Sequence, residues 1–172
     1  MDIEEAKRRY KGEGSFVADD AVTPEMLDRL EAGARSVWDQ ARSGTVDVAG
    51  KGGDGSSLFG LLAPEFGEPV FSEYLCSEPV GRYVESFLGS ELRLGHVHLW
   101  CSSTSYDTGW HRDHGAARDV SEEEELALLN APKVSIKWQL ALVDDPCLWV
   151  VPGSQLRYRT ADEREALNVD TR

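Results

Sequence analysis

The stretch KVSIKWQLALV, residues 133–143, alternates between two kinds of side chain and predicts the architecture of the second half of the chain. Alternate residues of a β-strand point to the same side, so Lys133, Lys137 and Gln139 occupy one face. The opposite face is apolar and consists of Val134, Ile136, Trp138, Leu140 and Leu142. The pattern predicts a strand with one face directed to a core.

Two neighbouring stretches also predict strands. In ELRLGHVHLW, residues 91–100, one face carries Leu92, Leu94, His96, His98 and Trp100. CLWVV, residues 147–151, is a third predicted strand, and it ends at Pro152 and Gly153. Strands of this kind, separated by turns, favour a mostly antiparallel sheet that closes on itself.

The first half of the chain has helical patterns instead. One short helix is expected over residues 2–11, ending at Gly12 and Gly14. A second has the N-cap Thr23, Pro24 at its first position and Gly44 as its end, and a third begins near Ser77 and Pro79 and ends at Gly89. We therefore expect an α+β fold in a single domain over residues 1–172, with a helical part (1–89) and a β part (90–172).

Composition narrows the class of protein. The net charge of −13 disfavours nucleic acid as a partner, because phosphate backbones are bound by clustered Lys and Arg. No apolar run approaches the ~20 residues that cross a bilayer, and no signal peptide is evident, so no membrane partner and a cytoplasmic location are expected. The three cysteines suit reduced thiols. The acidic run 122–125 predicts a solvated helix start.

The glycine-rich stretch AGKGGDGSS, residues 49–57, does not fit a phosphate-binding loop. Such a loop needs Gly-Lys-Ser/Thr after a strand, whereas Lys51 is followed by two glycines. We expect a mobile loop that could cover a pocket.

The stretch GWHRDHG, residues 109–115, contains the candidate chemistry. In an extended segment His111 and Asp113 project from one face, and an imidazole with a carboxylate suits a divalent metal such as Fe(II). The pair alone is weak evidence, and a polar surface turn is the competing interpretation. A kinase catalytic loop is excluded, because it needs an Asn five residues after the Asp and position 118 is Arg118.

Two further histidine hypotheses stay open. His96 and His98 could be paired ligands of a cupin-like metalloenzyme together with His111, although satisfied wall residues are the more ordinary interpretation. His114 lies on the opposite strand face from His111 and is a weaker candidate ligand.

The order of several motifs resembles the phytanoyl-CoA dioxygenase family of Fe(II)/2-oxoglutarate oxygenases over about residues 91–165. The matching pieces are Trp110-His111-Arg112-Asp113, Trp138, Asp144-Asp145, Leu148 to Ser154, and Arg157 to Glu163. The resemblance implies a double-stranded β-helix, or jelly roll, with flanking N-terminal helices. It also implies that His111 and Asp113 ligate iron, that Trp138 walls the 2-oxoglutarate pocket, and that His98 and Arg112 contribute nearby.

By this resemblance, the chain hydroxylates a small metabolite or acyl substrate while 2-oxoglutarate is decarboxylated to succinate. Asp113 favours hydroxylation over halogenation, since halogenating relatives lack the carboxylate ligand. The family pattern continues with a distal histidine and, about ten residues later, an arginine that binds 2-oxoglutarate as a bidentate pair.

No histidine follows His114 in this sequence, so the pair of distal histidine and later arginine is not found, and Gln155 replaces a histidine of the family pattern. Either the C-terminal strands are missing from the sequence, or another chain supplies them, or the protein is a remnant without the chemistry. A catalytically inactive jelly-roll binding module is therefore the main alternative, beside the cupin-like metalloenzyme. The sequence does not indicate an oligomeric state or a specific substrate.

Overall fold

The computed structural model describes residues 1–46, 57–101, 109–112, 120–132, 134–146 and 148–168. Within them the chain forms helices α1 (Ile3–Glu13), α2 (Pro24–Ser43), α3 (Val70–Leu75), α4 (Glu78–Leu88), α5 (Glu122–Asn130) and α6 (Ala161–Asn168). The described strands are β1 (Ser57–Phe59) and β2 (His98–Trp100), and 3-10 turns lie at Pro64–Phe66 and Ser154–Leu156. The chain divides into two compact units: a first unit of Met1–Ala18, Ser105–Val134 and Pro146–Arg172, and a second unit of Asp19–Thr104 and Ser135–Asp145.

Several sequence predictions fall on residues outside these ranges. They are the candidate ligands Asp113 and His114, positions 49–56 of the glycine-rich stretch, Lys133 and Cys147. Among the residues that are described, no helix is both long and apolar enough to cross a membrane.

The predicted ends of helix α2 are confirmed. The Thr23 hydroxyl accepts a hydrogen bond from the Met26 amide at 3.2 Å, and Pro24 is the first helical residue. Pro fits this position because the first amides of a helix have no intrahelical partner. Gly44 ends the helix at φ 75°, in the left-handed region that a side chain disfavours.

Helices α1 and α4 also agree closely with their predicted bounds. Helix α1 continues through Gly12 and ends at Gly14, and helix α4 follows Ser77 and ends at Gly89. Helices α3 and α6 were not predicted, because each is too short to show a sustained helical period.

The core of the second unit forms where helix α2 packs against helix α3. A Cβ atom at Gly33 would lie 2.8 Å from Val70 Cγ1, so only glycine allows this close approach. The shared core is built from apolar side chains of both helices and of the segments that follow them: Leu30, Ala34, Val37, Ala41, Val46, Leu58, Leu61, Phe66, Val70, Phe71, Tyr74 and Val80.

The strand predictions are wrong in extent for the described residues. Only His98–Trp100 of the predicted strand 91–100 forms a ladder, pairing antiparallel with β1 so that Phe59 is opposite His98. The ranges 134–143 and 148–151 form no strand, since a strand needs a neighbour that accepts its backbone hydrogen bonds and the described residues provide none. Trp149, in the second of these ranges, is 74% exposed. The jelly roll stays a prediction.

The two-residue period nevertheless predicts which side chains of segment 134–143 are buried. Trp138, Leu140 and Leu142 pack against the core of the second unit, whereas Lys137 and Gln139 are exposed. Val134 departs from the pattern and is 87% exposed. The alternation therefore indicates the buried face correctly, although no ladder forms.

In the first unit, helix α1 is tied to the turn Ser154–Leu156. The Gly153 amide donates to Glu13 O at 3.0 Å, and Gln155 Nε2 donates to Lys11 O at 3.2 Å. Helix α5 begins with a capping box, in which the Ser121 hydroxyl accepts from the Glu124 amide and the Glu124 carboxylate accepts from the Ser121 amide. The predicted helix start in the acidic run is thus confirmed.

Candidate functional site

The predicted site residues are distributed over both units. His111 and Arg112 belong to the first unit, and His98 and Trp138 belong to the second. Asp113 follows Arg112 in the chain but lies outside the described residues.

The imidazole of His111 is exposed and has a defined orientation. Its Nδ1 atom lies 3.2 Å from Gly109 O, and a carbonyl oxygen can only accept, so Nδ1 carries the proton. This tautomer places the ring's lone pair on Nε2. A hydrogen bond from Nδ1–H to a backbone carbonyl is a common support for histidines that ligate metals through Nε2. His111 thus has a hydrogen bond of the kind that commonly supports metal-ligating histidines.

The side chain of Arg112 is buried, in contrast to its neighbour His111. Only 12% of it is exposed. Its Nη1 donates to Ser154 O at 2.9 Å and to Arg157 O at 3.3 Å, while Nε lies 3.4 Å from Glu125 Oε1. The guanidinium therefore ties the His111 segment to helix α5 and to the segment after the Ser154–Leu156 turn.

Glu125 and Arg159 form a bidentate ion pair inside the first unit. Arg159 Nε donates to Glu125 Oε2 at 2.9 Å, and Nη2 donates to Oε1 at 2.8 Å. The side chains are 0% and 3% exposed. Burial raises the pKa of the Glu125 carboxyl, but the hydrogen bonds from Arg159 and the positive charges of Arg112 and Arg159 outweigh burial, so the pKa lies below its ordinary value.

A second bidentate pair joins Arg157 to Glu163 at the start of helix α6. Arg157 Nη1 and Nη2 donate to the carboxylate at 2.6 and 2.8 Å. The same carboxylate accepts from the Thr160 amide at 2.7 Å, and the Thr160 hydroxyl accepts from the Glu163 amide. Chiefly because of the bonds from Arg157, the pKa of Glu163 is lowered to about 2, against a smaller raising effect of burial.

The five residues are linked into what we call the arginine–glutamate cluster: Arg112, Glu125, Arg157, Arg159 and Glu163. Arg112 connects the two pairs, since its Nη2 lies 3.8 Å from Glu163 Oε2. Within the described part of the chain, that Nη2 atom is buried and has no hydrogen-bond acceptor. The cluster contains three cations and two anions, and Arg112 connects it to the His111 segment.

Sequence reasoning missed this cluster and placed Glu125 on a solvated face. That prediction is wrong, because Glu125 is fully buried beside Arg159. One sequence feature could have indicated it: Glu125 and Leu129 are four residues apart and therefore share a helix face, and Leu129 is apolar and buried. An acidic residue on the apolar face of a short helix predicts a buried cationic partner.

His98 lies in an aromatic cluster on the β1–β2 pair. Its ring is 5.5 Å from that of His96 at 17°, and 5.0 Å from the ring of Phe59. Its Nε2 accepts a hydrogen bond from Trp100 Nε1. The pKa of His98 is lowered, first by burial and then by the charges of His96 and Lys137. This environment favours a neutral aromatic wall residue, and the predicted cofactor contact stays a prediction.

Trp138 is anchored between helices α3 and α4. Its Nε1 donates to Tyr74 Oη at 3.0 Å, and its ring lies 6.0 Å from that of Tyr83. Burial raises the pKa of Tyr74, and the bond from Trp138 partly opposes this. These contacts attach segment 135–145 to the core of the second unit. The predicted role of Trp138 in a 2-oxoglutarate pocket is not tested by them.

A metal ion needs several donor groups arranged around one point. The described residues contain no group of three or more His, Cys, Asp or Glu side chains arranged around a common point. His111 fits as one nitrogen ligand, and the adjacent Asp113 would supply a carboxylate oxygen.

A family comparison identifies the class more closely. The model for phytanoyl-CoA dioxygenase (PhyH) matches residues 10–171. Because the match covers most of the chain, the protein belongs to the phytanoyl-CoA dioxygenase family, a family of oxygenases, and the resemblance seen in the sequence is confirmed. No curated protein and no solved structure gave a match.

Proposed function

We propose that this protein is an Fe(II)/2-oxoglutarate-dependent dioxygenase that hydroxylates a small metabolite or an acyl substrate. The observation that carries the proposal is the exposed imidazole of His111, whose Nδ1–H donates to Gly109 O in the manner common for metal-ligating histidines, in a chain that matches the family model over residues 10–171. Family membership supports the oxygenase class. Iron, 2-oxoglutarate and the substrate class are parts of the proposal.

His111 and Asp113 would hold the metal through an imidazole nitrogen and a carboxylate oxygen. Bound iron with 2-oxoglutarate would supply the oxidising chemistry, with loss of carbon dioxide and formation of succinate. Arg112 has its guanidinium in contact with Glu125 and two backbone carbonyls, which favours an anchoring role over contact with the cofactor. The retained carboxylate at Asp113 favours hydroxylation over halogenation.

The cupin-like alternative has less support. His98 Nε2 already accepts from Trp100 Nε1, so its lone pair is engaged within the protein. A ligand role for His98 through Nε2 would first require this bond to break. In this proposal Trp138 is a wall residue of the 2-oxoglutarate pocket, and His98 contributes nearby.

The test is a titration of anaerobic Fe(II) into the full chain by calorimetry, with and without 2-oxoglutarate. We expect binding that is strengthened by 2-oxoglutarate and lost in His111→Ala and Asp113→Ala. His96→Ala is the matched control and should bind like the wild-type protein. Succinate release on addition of dioxygen would then measure turnover.

The alternatives give different results in the same experiment. Equal damage from His96→Ala and His111→Ala, with no effect of 2-oxoglutarate, would favour the cupin-like metalloenzyme. Absence of metal binding in the folded wild-type chain would favour the inactive binding module.

A further inference from the structure

The two sides of the His111 segment differ in their surroundings. The His111 side chain is exposed, whereas the Arg112 side chain is almost fully enclosed by helix α5 and the segment Ser154–Arg157. The candidate ligand His111 is therefore exposed to solvent, while Arg112 attaches the segment to helix α5 and to Ser154–Arg157.

One buried carboxylate contacts Arg112 in addition to the two carbonyl oxygens. Glu125 Oε1 lies 3.4 Å from Arg112 Nε and 2.8 Å from Arg159 Nη2. Glu125 is fully buried in helix α5, and Arg159 holds it by two parallel hydrogen bonds. A bidentate pair fixes both the position and the plane of the carboxylate. The carboxylate in turn gives Arg112 a fixed, charged partner.

We propose that Glu125 is a positioning residue for the candidate ligand His111, acting through Arg112 without touching the metal. The proposal rests on the proposed function for the identity of the site. Groups behind metal ligands commonly change metal affinity about 10- to 100-fold when they are altered. Glu125 is such a group here. It contacts Arg112, and the main chain joins Arg112 directly to His111.

The experiment compares three variants of the full chain on helix α5. Glu125→Gln keeps the shape of the side chain and removes its charge. Glu123→Gln makes the same change at an exposed position. Leu129→Ala truncates the other buried side chain of the same helix and retains all five residues of the cluster. Mn(II) affinity, from the electron paramagnetic resonance of free Mn(II), and the backbone order of His111 and Arg112, from ¹⁵N relaxation, are measured for each.

We expect Glu125→Gln to weaken Mn(II) binding about 10- to 100-fold and to increase fast motion of the His111 and Arg112 amides. Glu123→Gln should match the wild-type protein. Leu129→Ala should lower the melting temperature while it leaves affinity and order nearly unchanged. If Glu125→Gln does not fold, Arg112→Lys replaces it, because lysine keeps the charge but cannot contact Glu125 and two carbonyls together.

Each result decides the proposal. Unchanged affinity and unchanged order in folded Glu125→Gln would overturn it, as would equal effects in Leu129→Ala, which would indicate general loosening. If the wild-type chain binds no Mn(II), the proposed function fails. The relaxation data then decide the positioning role alone: loosening of His111 in Glu125→Gln but not in Leu129→Ala supports it, and no loosening overturns it.

Discussion

Replacement of Arg159 by methionine should destabilise the protein strongly, because the buried Glu125 carboxylate then loses its two hydrogen bonds from Arg159. Glu125 is 0% exposed and Arg159 is 3% exposed, and two hydrogen bonds of 2.9 and 2.8 Å join them. Removal of one partner of a buried pair typically costs about 3–5 kcal/mol. Arg112 remains 3.4 Å from the carboxylate, so we expect the lower end, about 3 kcal/mol.

The assay is thermal unfolding of the full chain at several pH values. For a chain of this length, about 2–4 °C are lost per kcal/mol, so Arg159→Met should melt about 6–12 °C lower at pH 7. Arg9→Met is the control, since Arg9 pairs with Glu5 at 2.9 Å on an exposed helix surface. That variant should lose less than about 1 kcal/mol.

The pH dependence of the stability loss tests whether the charge of the Glu125 carboxylate causes it. The pKa of Glu125 is lowered in the folded wild-type protein, so its stabilising contribution is present above the ordinary value of 4.5 and is lost as the pH falls through the folded pKa. In Arg159→Met the carboxylate can relieve its cost by taking up a proton. The difference between the two proteins should therefore shrink below about pH 4.5. A loss no larger than in Arg9→Met, or one that is constant from neutral to acid pH, would refute the reasoning.

Three further predictions concern other contacts. Trp138→Phe removes the bond to Tyr74 Oη, so it should cost about 1 kcal/mol in urea unfolding and raise the pKa of Tyr74 further in a spectroscopic titration; a lowered pKa would contradict this. Tyr83→Phe removes a fully buried hydroxyl that donates to Asp20 at 2.9 Å. The free energy of unfolding should therefore fall by about 1.5–3 kcal/mol, and the pKa of Asp20 should rise toward its ordinary value in a ¹³C titration. If both quantities are unchanged, the bond is excluded as a stabilising contact. Glu163 contributes stability above pH 4.5 that is lost as the pH falls to about 2. The melting temperature of Glu163→Gln should therefore fall less steeply across that pH range than that of the wild-type protein. Parallel curves of melting temperature against pH would count against the assignment.

Helix ends could be predicted from the sequence because their causes are local. Thr23, Pro24 and Gly44 act on backbone groups within a few positions, and the structure confirms both ends of helix α2. Segment 134–143 shows the limit of such reasoning. Its alternation predicts the buried face correctly, but a ladder requires a partner strand, whose position the segment itself does not encode.

The candidate site divides in the same way. The residue types at positions 111 and 113 could be recognised from their spacing, whereas the supporting ion pair joins residues 125 and 159, which are 34 positions apart. Only folding brings them together. The tautomer of His111 was equally inaccessible, because it depends on the turn that places Gly109 O beside Nδ1.

Arg112 shows why position next to a ligand does not define a role. Its place between His111 and Asp113 suggested contact with the cofactor, but three of its contacts are to the protein itself: two carbonyls and the Glu125 carboxylate. A planar guanidinium can make these contacts together, whereas a lysine ammonium lacks the fork. His111 thereby lies on the exposed side of the segment, and Arg112 lies on the side that contacts the arginine–glutamate cluster. Loss of charge at Glu125 should accordingly weaken metal binding through the backbone of His111, at a site that Glu125 never contacts.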